Sequence, residues 1–428
     1  MTVTFTQLES GISIHLKEIH TAPIISHWVW YRVGSRNEQP GKTGISHWVE
    51  HMQFKGTQKY PNGVLDKMIS REGGIWNAFT NLDWTAYYQV MPADKIDIAL
   101  QLEADRMQNS LYNPQEVEAE RTVILSELEG SENEPLFRLT SAVQAAAFDI
   151  HPYRHEIIGE KQDLLSISRD ELYRYYRQHY SPANALVAVA GDFDTREMLA
   201  RLTDLYAQIP AADLPDVRLM PEPEPAAEKR VELSGAGDAT YLQLAYRSPA
   251  GWHRDFHALN VLDSLLTGPS HLSMYGGGGL SNRTSRLYRA LVEKRYAVAV
   301  HGSLQATIDP YLYTILVVLH PDKTPEELLR ALDEQIETLQ DTPVPVSEIE
   351  RAIKQAKALF AYNSESITNQ AFWLGYAPMF AGYDWFINYI SALEQTTPLD
   401  LQEAARHYLN PSRRVVGIYR STGDGGGI

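Results

Sequence analysis

Residues 209–228, IPAADLPDVRLMPEPEPAAE, carry five prolines and several acids but few apolar anchors. Such a stretch reads as an extended linker rather than as part of a core. It divides the 428-residue chain into halves of similar length, each long enough to bury its own core. The boundaries read as a first domain over 1–212, a linker over 213–229 and a second domain over 230–428. The halves open alike. TFTQLESGISIHLKE and PIISHWVWYRVGS alternate like strands, and a Gly-containing loop then leads to a helix from about Gly44. In the second half KRVELSG and ATYLQLAYRSP lead through AGWHRD to the helix FHALNVLDSLLTG. Long helical patterns follow in each half, and NALVAVAGDF and RRVVGIYRS supply late strands. The expectation is an α+β protein of two homologous domains, each a mostly antiparallel sheet with helices packed on one face.

Composition narrows the function classes. A formal net charge of −16 argues against non-specific binding to nucleic acid or anionic membrane and permits attraction of basic substrates. With no cysteine, a bound metal must use His, Asp or Glu. The N-terminal residues alternate like a strand and show neither a signal-peptide nor a transit-peptide pattern, so a cytoplasmic location is expected. No apolar run approaches the roughly 20 residues that span a bilayer.

The pentapeptide ISHWV occurs twice, at 25–29 and at 45–49. In the first copy period two prevails, and β-branched and aromatic residues dominate. His27 there reads as a core or edge histidine of a strand. The second copy follows the turn-rich QPGKTG, and a period of 3.6 puts Ile45, Trp48, Val49 and Met52 on one stripe. His47, Glu50 and His51 fall on another face, with the two imidazoles one turn apart and able to meet one ion. HWVEH is thus H-x-x-E-H, the reverse of the H-E-x-x-H pattern of zinc peptidases. Three fixed positions in five also arise by chance, so the pattern alone leaves a catalytic and an incidental reading open. The stretch EVEAERTVILSELEG reads as a helix with Glu120 and Glu127 on one face and Ile124 between them. Helical glutamates are usually just solvated, so these residues alone do not name a third ligand.

GISHWVEHMQFKGT is followed in order by GGIWNAFTNLDWTAYY, EAERTVILSELEG, HPYRHEIIGEKQDL and YSPANALVAVAGDF. Together these segments resemble the pitrilysin/insulinase family of zinc peptidases. The likeness is to its short-chain branch, which includes mitochondrial processing peptidase subunits and bacterial relatives. It covers nearly the whole chain and is strongest over 28–195.

The resemblance implies one Zn²⁺ per chain, held by His47, His51 and a glutamate about 76 positions beyond the second histidine, which is Glu127. It implies Glu50 as the base that activates water and Glu120 as a supporting residue behind a ligand. Asn77, Ala78 and Phe79 would lie on an edge strand that receives the peptide substrate. Arg286 matches an arginine that reaches the substrate backbone in active relatives. The tyrosine that accompanies it falls at Ala299, with Tyr296 three residues earlier. Two repeats make half a chamber, so a homodimer or a heterodimer with a homologous chain is implied. The Ala299 departure keeps open a metal-bearing subunit that needs an Arg/Tyr-bearing partner. A non-catalytic peptide-binding or assembly subunit is the remaining alternative. Gly276–Gly279 lacks the Gly-Lys-Ser/Thr that would make it a phosphate loop. His257 has no histidine at i+4, so no second metal is expected in the second half.

Overall fold

The computed structural model describes residues 3–269 and 282–423. In chain order the elements are β1 (Val3–Gln7), β2 (Ser13–Glu18), β3 (Ile24–Tyr31), α1 (Ile45–Met52), α2 (Leu65–Arg71), β4 (Ile75–Thr80) and β5 (Thr85–Pro92). Then come α3 (Ile96–Asn109), α4 (Pro114–Glu132), α5 (Pro135–Ala147), α6 (Lys161–Ser166), α7 (Arg169–His179), β6 (Ala185–Gly191) and α8 (Thr195–Tyr206). The rest are β7 (Lys229–Gly235), β8 (Tyr241–Arg247), α9 (Asp255–Leu266), β9 (Ala297–Leu304), β10 (Leu312–Leu319), α10 (Pro325–Asp341), α11 (Val346–Asn363), α12 (Ile367–Phe380), α13 (Tyr383–Glu394), α14 (Pro398–Tyr408) and β11 (Val415–Ser421).

One sheet runs β1-β2-β6-β3-β5-β4 and the other β7-β11-β8-β10-β9. Apart from β1, the second order repeats the first strand for strand. In each sheet a single neighbouring pair is parallel, β2 with β6 and β7 with β11. The shared order establishes two copies of one α+β design, as the matching openings of the halves lead one to expect. Residues 210–227 form no helix or strand. Glu222 nevertheless pins this stretch, accepting the backbone N–H groups of Asp149, Ile150 and His151 at 2.5, 3.0 and 2.7 Å.

The compact units are not consecutive halves. One gathers Met1–Glu129, His155–Leu219 and Ser364–Tyr383, and the other gathers Gly130–Arg154, Met220–Asn363 and Asp384–Ile428. Each unit therefore takes one helix from the other half of the sequence. The reason lies in the strands. β3, IISHWVWY, is buried on both faces, so its sheet needs two covering layers. On the His27 face α3 supplies one layer, Glu103 bonding Gln89 beside His27. On the opposite face Trp28 and Trp30 meet Phe372 of α12 at ring-centroid distances of 5.5 and 5.4 Å. The second sheet repeats the arrangement. Asp263 of α9 accepts the Tyr313 hydroxyl on one face, while Leu139 and Val143 of α5 press on Gly417 on the other. The expected layer of helices on one face is thus joined by a borrowed helix on the second.

Past its polar first turn, α12 is enclosed, and from Ala371 to Phe380 its sequence is apolar all round. Pro378 lies inside it and cannot donate to the Leu374 carbonyl one turn back. His15 of β2 takes that place, its Nδ1 2.8 Å from the Leu374 oxygen. Gly375 is where the helix touches the sheet: a Cβ there would sit 1.9 Å from Trp30 Nε1. Gly375→Ala is expected to cost about 3 kcal/mol, since a rigid indole in a filled core has nowhere to move. Urea unfolding should show a lower midpoint at unchanged slope, and an unchanged midpoint would mean that this contact is not close.

Candidate metal centre

The helix α1 begins where the chain requires glycine. Gly44 has φ +83°, and a Cβ on it would lie 2.3 Å from the Ile158 carbonyl oxygen. Gly159 closes the other side, its would-be Cβ 2.5 Å from the backbone of Thr43 and Gly44. Asp163 binds the Thr43 N–H and hydroxyl at 3.0 and 2.7 Å. Glu38 then accepts the N–H groups of Gly44 and Ser46 at 2.8 and 2.9 Å, capping the first turn from outside the helix. Residues 155–163 thus act as a seat for α1, and His155 Nδ1 stands 3.7 Å from Glu38.

With its start fixed, α1 buries Ile45, Trp48, Val49 and Met52, the stripe expected from the sequence. Its other face presents His47 and His51, whose Nε2 atoms are 3.2 Å apart. Glu127 on α4 brings Oε2 to 4.0 Å from His47 Nε2 and 3.8 Å from His51 Nε2. These edges lie close to the ~3.3 Å that separates ligands around tetrahedral zinc with bonds of about 2.0–2.1 Å. Glu120, one heptad earlier on the same helix face, meets His51 Nδ1 at 2.8 Å, and Lys55 holds its other oxygen. That bond puts the His51 proton on Nδ1 and turns the Nε2 lone pair towards His47 and Glu127. Glu129, two residues on from Glu127, points away and pairs with Lys161 at 2.7 Å. Two imidazoles and a carboxylate, with no thiolate, form a donor set suited to a divalent ion such as zinc.

The protonation pattern follows from surroundings. Burial, aided by the neighbouring His51, lowers His47 to about 3, so its ring is neutral and has a lone pair to give. Burial also pulls His51 down, but the bond from Glu120 and the nearby carboxylates outweigh it and raise its pKa. Burial raises Glu50 above the ordinary carboxylate value, and the Thr80 bond offsets part of that rise. Thr80 donates its hydroxyl to Glu50 Oε2 at 2.5 Å.

Thr80 ends β4, which among the described residues pairs only with β5 and lies at the sheet's free edge. Trp76, Ala78 and Thr80 share one side of this strand, and Ala78 is buried. Asn77 is exposed, and its Oδ1 accepts the Ala78 N–H at 2.9 Å. Phe79 stacks on Tyr88 with centroids 6.1 Å apart. Sequence reasoning missed Thr80, Lys55, Glu38 and Asp163. Strand alternation carried on past Ala78 would have found Thr80. The others are polar contacts between separate segments and leave no periodic trace.

In the second unit Arg286 donates from Nε to Glu348 on α11 at 3.1 Å. Ala299 lies in β9, opposite Val318. The Tyr296 ring lies beneath the Lys323 ammonium, 4.7 Å from its centroid. Gly276–Gly279 lies outside the described residues. His257 on α9 stacks on Trp385 at 5.7 Å and is lowered by burial to about 4. One turn later the residue is Val261, not a histidine.

Glu38 yields a pH prediction. Burial pushes its carboxyl up to about 8, outweighing the N–H bonds it accepts. A group raised on folding stabilises fully below its unfolded pKa, and that contribution is lost as pH rises through the folded value. Thermal unfolding of Glu38→Gln, which cannot ionise, should therefore gain on the parent protein as pH rises from 5 to about 8. Parallel melting curves across that range would contradict the assignment.

Comparison with known proteins bears on this centre. The insulinase (peptidase family M16) pattern matches residues 13–161, and the peptidase M16 inactive-domain pattern matches 166–356. An uncharacterized zinc protease of Streptomyces coelicolor is 25% identical over 97% of this chain and 90% of its own. The zinc protease PqqE of Helicobacter pylori is 28% identical over 80% of this chain and 76% of its own. A protease from Helicobacter pylori, solved by crystallography, superposes with a TM-score of 0.89 at 24% identity, covering 98% of this chain and 99% of that one. That likeness supports the fold. The two adjoining domain patterns, over a duplicated fold whose first copy alone carries H-x-x-E-H, place this chain in the insulinase family of zinc peptidases, peptidase family M16.

Proposed function

We propose that this chain is a zinc-dependent endopeptidase that hydrolyses peptides or unfolded segments. The observation that carries the reading is the convergence of His47, His51 and Glu127 beside a second, separately held carboxylate on Glu50. His47 Nε2, His51 Nε2 and a Glu127 oxygen would hold one Zn²⁺ per chain. When bound, zinc supplies Lewis acidity, lowering the pKa of water and polarising the scissile carbonyl. Glu120 keeps the His51 ring turned to offer Nε2, with Lys55 steadying that carboxylate. Thr80 fixes Glu50 by Oε2, leaving Oε1 to take the proton from water and pass it to the leaving amine nitrogen. The raised Glu50 pKa suits a group that must both accept and release that proton. The free edge of β4 lets a substrate add as a further strand, with Asn77, Ala78 and Phe79 as contacts. Backbone pairing of this kind accepts many sequences. Arg286 would serve as a further substrate contact, and a second homologous chain would complete an enclosing chamber.

Ala299 favours a second reading, in which the chain bears the metal but needs a partner that brings the arginine and tyrosine. Metal analysis with a quenched fluorogenic peptide library tests both. The parent chain should bind one zinc and cleave, and chelation should abolish cleavage. Glu50→Gln should keep its zinc and lose activity by about 10²–10⁴-fold. Full activity of Glu50→Gln with zinc bound would sink the mechanism. Cleavage that appears only after a homologous chain is added would favour the two-subunit reading.

A further inference from the structure

The proposed chemistry leaves one buried ion pair without a role. Arg106 of α3 is 2% exposed and Glu103 is fully buried. Arg106 Nε donates to Glu103 Oε2 at 2.7 Å, and Nη2 donates to the other oxygen. Glu103 also accepts the Gln89 amide, and Gln89 Oε1 lies 3.0 Å from His27 Nδ1. Taking two such charges out of water gains little. A well-packed apolar replacement is often as stable or more so. What the pair does supply is a flat cation held at a fixed tilt by two parallel bonds.

Three aromatic rings surround that cation. The guanidinium carbon is 4.2 Å from the ring centre of Tyr87, 5.6 Å from Phe54 and 5.9 Å from Trp76. Tyr87 belongs to β5, Phe54 follows the end of α1, and Trp76 lies near the start of β4. Phe54 and Trp76 also meet each other, with centroids 4.8 Å apart. One cation thus joins the helix that bears Glu50, an inner strand and the free edge strand. The approach to β4 is Gly73-Gly74, which has no side chain to anchor it. Beyond its ladder to β5, the strand is held by Trp76 Nε1 on Asp66 at 3.1 Å and by Thr80 on Glu50.

We infer that Arg106 is a positioning residue that sets edge strand β4 against α1, and so fixes where a peptide backbone can lie beside Glu50. The substrate part rests on the endopeptidase reading. The positioning of β4 does not.

The test compares the full-length zinc-loaded parent with Arg106→Met/Glu103→Gln, which removes the cation without stranding a buried carboxylate, and with Arg106→Lys, which keeps charge but not the plane. Hydrogen exchange reads the amides of 75–80 against those of 85–92, and steady-state kinetics use a peptide long enough to form a strand. In both variants the β4 amides should exchange about tenfold faster while β5 stays protected. KM should rise about tenfold with kcat within about twofold and zinc content unchanged. Unchanged β4 exchange and KM would overturn the inference. So would full recovery by Arg106→Lys, which would assign the effect to charge alone, or loss of kcat in step with zinc, which would mean general destabilisation. If the zinc-loaded parent cleaves nothing, the peptidase reading fails, and the exchange measurement still decides the positioning of β4.

Discussion

Two sheets with apolar residues on both faces are the constraint from which the rest follows. β3 and β6 are buried on either side, so one layer of helices cannot shield them. Each half of the sequence supplies one layer to its own sheet, and α5 and α12 supply the second by crossing over. Neither half of the sequence is then a complete folding unit, although each holds a full copy of the strand order. The crossing also explains local oddities. Pro378 sits inside α12 because a histidine of the covered sheet satisfies the carbonyl that it frees. Gly375 and Gly417 lie at the two contacts, where any side chain would meet Trp30 or Val143.

Against this apolar frame, five buried ionisable groups of the first unit lie around α1. Glu38 caps its start, Glu50 lies on its inner face, Glu120 backs His51, and Glu103 with Arg106 lies beneath the turn that follows it. Burying an ionisable group is costly: burial raises Glu38 and Glu50 towards their neutral forms, while Glu120 and the Glu103–Arg106 pair keep ionic partners. A core selected only for stability would gain nothing from such a concentration. Its location beside two imidazoles and an exposed carboxylate is what ties the cost to chemistry.

Much of the fold is legible in the sequence because periodicity reports local structure. The strands and helices that open each half and the late strands β6 and β11 lie where residue pattern puts them. The crossing of α5 and α12 is not legible. An enclosed helix reads as an apolar run, and such a run does not say which sheet it covers. The centre divides along the same line. His47, Glu50 and His51 share a helix face, so spacing reveals them. Glu127 lies on another helix, and only the resemblance singles it out from Glu129. Thr80, Lys55, Glu38 and Asp163 act through single hydrogen bonds between segments, which no pattern in one chain records. The place of Arg286, paired with Glu348, is likewise a tertiary fact.

The repeated ISHWV shows how little separates a core residue from a metal-ligand candidate. His27 and His47 have the same neighbours in sequence, and burial lowers the pKa of both. Both rings are therefore neutral near pH 7, with a lone pair available. Neutrality cannot be what distinguishes them. In β3 the residue four places on, Tyr31, shares the sheet face of His27 but lies about 13 Å along the strand, and among the described residues His27 has the Gln89 amide within hydrogen-bonding reach, at 3.0 Å. In α1 the residue four places on returns to the same face, and it is a second imidazole that Glu120 has already oriented. The helix converts a spacing in sequence into a separation of 3.2 Å in space. The two residues after the pentapeptide, Trp30-Tyr31 in one copy and Glu50-His51 in the other, decide which geometry the histidine can use.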